Sequence, residues 1–193
     1  MPYETAPLQI IADILEELDY AVKFLPASAE IPIDSLLVHL GETPEEVYLL
    51  EMTFVNDLLA FQGIPEEFDD AMVLQFLVRF SFSFAEDRAA ELARLFMTLN
   101  SIIPAGAFCL NEEVGTIFLQ HALHLPTREV PEVVLQEIVG SIDTFVTAFA
   151  PDIQAVAWNM KSRAEVLEAL RNEGFAFPPM LPGPASLLSD NPE

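Results

Sequence analysis

Residues 5–20 carry apolar side chains at the three-to-four-residue spacing of an amphipathic helix. Thr5 is the expected N-cap, because a threonine hydroxyl accepts a hydrogen bond from the first helical turn. The apolar stripe consists of Leu8, Ile11, Leu15 and Leu18 and is widened by Ile10 and Ile14. The pattern predicts a first helix that packs one face on a sheet.

The hydrophobic period changes to two between Ala21 and Phe84. Four stretches follow this period, AVKFL, DSLLVHLG, EVYLLEMTFV and MVLQFLVRFSFSF, and they are separated by Pro26, Gly41, Pro44, Gly63 and Pro65. Alternation of apolar and polar residues is typical of strands with one buried face, and glycine and proline mark the turns between them. The pattern predicts an antiparallel meander.

The last of these stretches alternates most regularly. Its apolar face comprises Met72, Leu74, Phe76, Val78, Phe80, Phe82 and Phe84, and its polar face includes Gln75, Arg79, Ser81 and Ser83. A helix would scatter these residues around its axis, whereas a strand sorts them onto two faces. We expect Arg79 to pair with Glu51 on a neighbouring strand. Contact of Arg79 with an anionic ligand is the alternative.

Residues 86–103 return to helical spacing and have a wide apolar face. Such a helix lies either in the centre of a domain or at an interface. We take Leu92, Phe96 and Leu99 of this helix, together with Arg79, as the candidate partner or dimer interface.

The C-terminal half begins with a predicted hairpin, GAFCLNEEVGTIFLQHALHLP, whose turn contains Asn111, Glu112, Glu113 and Gly115. A long helix is predicted from about Pro131 to Ala157, with a kink or break at Pro151.

A further short helix is predicted to start at Ser162, because Ser162 and Glu165 have the spacing of a capping box. Gly174 is the expected stop of this helix. The following FAFPPMLPGPASLLSDNPE holds five prolines in nineteen residues and is expected to be extended. Its apolar residues Phe175, Phe177, Met180 and Leu181 are candidates to lie along the protein's own surface.

Composition narrows the classes of function. The chain has 31 acidic residues and only 8 Lys and Arg, so its net charge is −23. Nucleic acid is disfavoured as a partner, because its phosphates require clustered cations. A hydrophobic fraction of 52% excludes the disordered class and leaves apolar surface for a dimer or a partner groove.

The expected location is the cytoplasm, without membrane insertion. Cys109 is the single cysteine, so no intrachain disulfide is possible and no oxidising compartment is indicated. The N-terminus lacks a basic region followed by an apolar core, and no apolar run reaches the length of a membrane span.

No catalytic, cofactor or metal site is predicted. His121 and His124 would share one face of a helix but point to opposite faces of the expected strand, and His39 is distant in sequence. Cys109 lies in an apolar stretch with no adjacent His or Lys, which favours an inert buried thiol. The paired acids fall at element ends or turns, and no GxSxG, P-loop or GxGxxG motif occurs.

The chain resembles the YbjN family and the wider group of type III secretion chaperone-like folds over about residues 5–157. The resemblance rests on the element order α-β-β-β-α-β-β-α and on the motifs GAFxLNEExGxIxxxHALHLP and DTFVTAFAPDIQAVA. The resemblance implies an α+β domain with a curved antiparallel sheet covered by helices, commonly dimeric, acidic and without a catalytic centre. Secretion chaperones of this group hold an extended partner segment. The extra C-terminal helix and the proline-rich tail depart from that pattern.

Three regions are therefore expected: an α+β domain over residues 1–160, an extra helix over residues 161–174 and an extended tail over residues 175–193. The expected function is that of a non-enzymatic, cofactor-free protein-binding module, chaperone-like or regulatory, which acts as a homodimer on an extended or amphipathic partner segment. The alternative is a small-molecule-sensing regulatory domain with an apolar pocket between the sheet and the helices.

Overall fold

The computed structural model describes residues 7–29, 32–41, 48–64 and 71–177. The elements in chain order are α1 (Pro7–Glu17), β1 (Val22–Leu25), β2 (Ser35–Leu40), β3 (Tyr48–Phe54), α2 (Val55–Phe61), β4 (Met72–Ser83), α3 (Ala89–Leu99), β5 (Ala107–Asn111), β6 (Thr116–Leu125), α4 (Glu132–Ala157) and α5 (Arg163–Asn172). A 3-10 turn, Glu86–Arg88, precedes α3. The fold is α+β, as the sequence predicts.

The six strands of the described ranges form one antiparallel sheet in the order β1-β2-β3-β4-β6-β5. The predicted meander and hairpin are both present. The order α-β-β-β-α-β-β-α differs in one place, because four strands precede α3 and the short helix α2 separates the third from the fourth. The helix α2 was not predicted, because Val55 was assigned to the preceding strand and the remaining six residues are too few to show a helical period.

One sheet face is covered by α1, α3, α4 and α5, and the hydrophobic core lies between them. The predicted apolar face of β4 lies on this side, where Leu74, Phe76 and Val78 are fully buried. The ring of Phe108 on β5 packs against those of Phe80, Phe96 and Phe149, with centroids 5.9 to 6.2 Å apart. These aromatic contacts join the sheet to α3 and α4.

The first helix packs as predicted. Leu8, Ile11 and Leu15 of α1 are buried against β1 and β2. The expected N-cap Thr5 lies outside the described residues.

The long helix α4 continues through Pro151 without the break that the sequence suggested. A proline removes one intrahelical hydrogen bond. Phe149, Ala150 and Ile153 are fully buried around it, so packing holds both halves of the helix to the core. Among the described helices, α4 is the one long and apolar enough by composition to span a membrane, yet its apolar stripe packs in this domain's core.

The predicted caps of α5 are confirmed. The Ser162 side chain accepts a hydrogen bond from the Glu165 N–H, and the Glu165 carboxylate accepts one from the Ser162 N–H at 2.7 Å. At the other end Gly174 has φ +96°, and Phe175 donates its N–H to the Leu170 carbonyl at 2.9 Å, which completes a Schellman motif.

The beginning of the tail lies along the helical layer. Phe175 packs on Phe149 with ring centroids 5.3 Å apart, and the Arg171 guanidinium lies 5.5 Å from the centre of the Phe177 ring. Both phenylalanines are partly buried. Met180 and Leu181, which were expected to join them, lie outside the described residues.

The structure corrects the candidate interface on α3. Leu92, Phe96 and Leu99 are 0%, 4% and 1% exposed and belong to the core. The α3 helix lies between β5, α4 and α5, so contacts within one chain bury its wide apolar face. Of the four residues proposed from the sequence as an interface, Arg79 alone is exposed.

Candidate functional site

The second face of β4, β5 and β6 points away from the core, and we call it the open face. It is formed by Gln75, Leu77 and Arg79 of β4, by Thr116, Phe118 and Gln120 of β6, and by Ala107, Cys109 and Asn111 of β5. These positions alternate with the buried residues, as the strand pleat requires. Within these three strands Arg79 is the one Lys, Arg, Asp or Glu.

The strand register arranges these side chains in rows. One row runs from Leu77 through Gln120 to Ala107, and the next from Arg79 through Phe118 to Cys109. Side chains directly opposite on neighbouring antiparallel strands have Cβ atoms about 4.5–5.5 Å apart. Phe118 is therefore flanked by a guanidinium on one side and a thiol on the other.

A groove runs along this face. Its main part has a volume of about 410 Å³ and is lined by Leu77, Arg79, Asn111, Phe118 and Gln120, among others. A second depression of about 300 Å³ adjoins it towards Gly106 and shares Gln75 and Gln120 with it. The β4–β6 register shifts between Arg79 and Ser83, and such irregularities bend a strand and re-aim its side chains. We refer to both parts together as the groove.

The predicted ion pair between Arg79 and Glu51 is present, through Nη1 of the arginine and one carboxylate oxygen. The Arg79 side chain nevertheless remains 67% exposed, against 29% for Glu51. A guanidinium has five N–H donors in a fixed planar arrangement. Arg79 therefore presents a positive group at the groove while its charge is partly balanced by the neighbouring strand.

Cys109 lies half-buried beside Phe118, on the open face rather than in the core. Burial raises the pKa of its thiol, which lowers the fraction present as thiolate. The thiol therefore contributes contact area and little nucleophilicity at neutral pH.

The outer edge of β5 is partly blocked. Asn100, which follows α3, donates its side-chain amide to the Phe108 carbonyl at 3.0 Å and accepts the Phe108 N–H at 2.8 Å. These are the backbone groups that an added strand would use. The open face is thus a better candidate for partner contact than this strand edge.

The two neighbouring histidines point to opposite faces of β6, as predicted. His121 lies on the core side, where its Nδ1 accepts the Gly106 N–H at 3.2 Å. This bond requires an unprotonated Nδ1. Burial lowers the pKa of His121, which also favours the neutral imidazole. His124 is exposed on the other side. The described ranges bring no three His, Cys, Asp or Glu side chains together in a metal-binding group.

The phenylalanine-rich face of β4 packs mainly into the core, and Phe80 also contributes to the lining of the groove. Phe76, Phe80 and Phe82 are buried, and their rings pack on His121, Tyr48, Phe108 and Trp158. Most of the residues that line the groove lie on the opposite sheet face.

Leu77, Phe118 and Gln120 are groove residues that sequence reasoning missed. One signal was available, because Leu77 interrupts the polar face of β4 between Gln75 and Arg79. Phe118 and Gln120 gave no comparable signal, since the groove depends on which strands become neighbours.

No protein-family model matches the chain, and no curated protein sequence matches it.

Proposed function

We propose that this protein is a non-enzymatic binding module that holds an extended segment of a partner protein in the groove. The observation that carries the proposal is an apolar floor, Leu77 and Phe118, in a groove on three strands that carry one formal charge. Binding sites combine apolar contact area with a few placed polar groups.

The chemistry of the rim favours a peptide as the occupant. Gln75, Gln120 and Asn111 offer amide donors and acceptors, and Thr116 offers a hydroxyl, which match the N–H and C=O groups of an extended main chain. Leu77 and Phe118 would contact alternate apolar side chains of the same segment. Arg79 would select for a carboxylate at one end of the groove.

The proposal includes a chaperone-like or regulatory role in the cytoplasm and a homodimer as the functional unit, in keeping with the resemblance to the YbjN and secretion-chaperone group. The core residues of α3 are unsuitable for dimer contact. Light scattering of the purified chain is expected to give about twice the 21.4 kDa of one chain. A mass of one chain would remove the dimer from the proposal.

The groove is tested by capture of cytosolic proteins on immobilised full-length chains. The variant Phe118→Gln removes the larger apolar side chain of the floor, and Val133→Gln is its matched control, because Val133 is an apolar residue of α4 that is 63% exposed on the helical side. We expect a protein that is enriched on the unmodified chain and on Val133→Gln and is lost from Phe118→Gln.

The extended segment of that protein must then be purified, and its binding to the unmodified chain must be reproduced by titration calorimetry. Equal capture by Phe118→Gln and the unmodified chain would place the interaction elsewhere on the molecule. Absence of any specific protein on all three chains would overturn the binding-module proposal.

A further inference from the structure

The side of the sheet that bears the groove continues onto the other three strands. The row that contains Leu77 extends to Glu51 of β3 and Leu37 of β2, and it ends at Lys23 of β1. Leu49 lies two residues before Glu51 on β3 and therefore on the same side of the sheet. We call this side of all six strands the outer face, and it includes the open face.

The outer face carries very little negative charge. Its outward-pointing strand residues include three with a formal charge, Lys23, Glu51 and Arg79. These charges add to +1, whereas the whole chain carries −23, so the remainder of the chain carries −24. Two copies that approach each other by another side bring acids against acids, and this repulsion opposes their encounter. The outer face is the side on which electrostatics allows two copies to meet.

Large apolar side chains lie on four neighbouring strands of this face. Leu49 is 43% exposed, and Leu37, Leu77 and Phe118 are half-buried. The solvated face of an antiparallel sheet commonly carries polar residues at such positions. These side chains therefore provide apolar area that contact with another surface would bury.

The size of the outer face suits a dimer. Six strands span about 29 Å at about 4.8 Å each, and about three rows of outward-pointing residues span about 20 Å. The row of Ser35 and Thr53 is left out because both residues are buried. The face then measures about 600 Å², or about 1,200 Å² for two copies, which is the lower limit for specific and stable interfaces.

From these observations we propose that a second copy of this chain docks on the outer face, through a two-fold axis that passes between Glu51 and Arg79. Such an axis places the Glu51 carboxylate of each copy opposite the Arg79 guanidinium of the other. The ion pair within one chain uses Nη1 of Arg79, and a guanidinium has further N–H groups for a second carboxylate. The outer face is thus complementary to itself in charge.

The strand edges are less suited to a second copy. The side chain of Asn100 blocks the edge of β5. At the other edge, the hydrogen bond from the His39 N–H to the Ala21 carbonyl shows which groups of β1 face β2. Within this four-residue strand, Val22 and Phe24 direct their N–H and C=O groups outward. Two residues offer a short template for pairing.

The groove lies beside the proposed axis, on β4, β5 and β6. It is a depression, so contact between the surrounding side chains leaves its volume of about 410 Å³ between the two copies. The inference rests on the proposed function, since it gives the homodimer an interface and lets both copies border the partner segment.

Sedimentation equilibrium of the full-length chain at about 0.15 M salt measures the dissociation constant of the dimer. Leu49→Gln should raise this constant roughly a hundredfold, because the dimer loses two apolar contacts at about tenfold each. Ile10→Gln is the matched control, because Ile10 is an apolar residue of α1 that is 49% exposed on the helical side. It should leave the dissociation constant unchanged.

Two charge variants test the axis. Arg79→Glu leaves two acids at the centre of the contact and Glu51→Arg leaves two cations, so each variant alone should be a monomer. An equimolar mixture should recover about twice the 21.4 kDa of one chain, because each variant supplies the charge that the other lacks. The ion pair within one chain cannot explain this recovery, since both variants break it.

A dissociation constant that Leu49→Gln leaves unchanged would overturn the inference. So would a mixture of the two charge variants that stays at the mass of one chain, or a dimer that Ile10→Gln disrupts as strongly as Leu49→Gln does. The masses are measured without a partner protein. A failure here is therefore distinct from a failure of the groove as a binding site, which depends on capture by the Phe118 surface.

Discussion

Adjacent residues of α3 illustrate what decides the role of a single side chain. Phe96 is 4% exposed and contacts the ring of Phe108, whereas Met97, the next residue, is 76% exposed. Both belong to the wide apolar face that the sequence shows. Only the position of β5, α4 and α5 around the helix makes one of them core and the other surface.

At this scale we predict that Phe96→Ala lowers the free energy of unfolding by about 3–5 kcal/mol, because it opens a cavity among packed rings. Met97→Ala, its neighbour and control, should change it by less than about 0.5 kcal/mol. Urea unfolding followed by circular dichroism measures both. If Phe96→Ala left stability unchanged and altered only the oligomeric mass, the placement of Phe96 in the core would be wrong.

Among the elements, β5 shows how an edge strand is protected. It has five residues, is paired with β6 on one side and receives the Asn100 side chain at Phe108 on the other. A short strand with a blocked edge offers little template for another chain. The same arrangement ties the end of α3 to the sheet.

We predict that Asn100→Ala exposes this edge. The unpaired N–H and C=O of Phe108 should cost about 1–3 kcal/mol of unfolding free energy, and the Phe108 amide should exchange faster with solvent. Hydrogen exchange followed by NMR measures the second effect. Asn172→Ala, at an exposed position at the end of α5, is the control. Unchanged exchange at Phe108 would show that the amide is protected by something other than Asn100.

Charge is distributed unevenly over the whole molecule. The net charge is −23, yet β4, β5 and β6 carry a single formal charge, that of Arg79. Between described residues only four ion pairs occur, and they involve four of the carboxylates. The helices and turns therefore hold mutually repelling acids, and the open face is the surface where that repulsion is weakest.

We predict that salt stabilises the folded chain. Raising the ionic strength from about 10 mM to about 150 mM shortens the Debye length from about 30 Å to about 8 Å and screens repulsion among exposed acids. The thermal midpoint should rise by roughly 2–4 °C, equivalent to about 1 kcal/mol for a chain of this size. Sodium and potassium chloride should act equally, since the effect is screening. A falling midpoint would mean that the ion pairs outweigh the repulsion.

Much of the fold could be predicted because its signals are local. The alternation in β4, the spacing in α1 and α4 and the capping box at Ser162 and Glu165 each depend on residues close in sequence. The Arg79–Glu51 pair was also predictable, because both residues lie on the polar faces of neighbouring meander strands. The helix α2 was not predictable, because its seven residues are too few to show a helical period. The long helix was predicted with a kink or break at Pro151, and it continues there because both halves pack in the core.

By itself the sequence determined the α+β class, the antiparallel meander, the hairpin and the acidity of the surface, since each follows from periodicity or composition within a short window. The tertiary structure decided which apolar residues became core and which formed the groove. Leu92, Phe96 and Leu99 are buried, and Phe118 joins Arg79 and Cys109 in one row, because strands distant in sequence pair side by side. Neither outcome is encoded in any single segment, since burial depends on what the rest of the chain places against it.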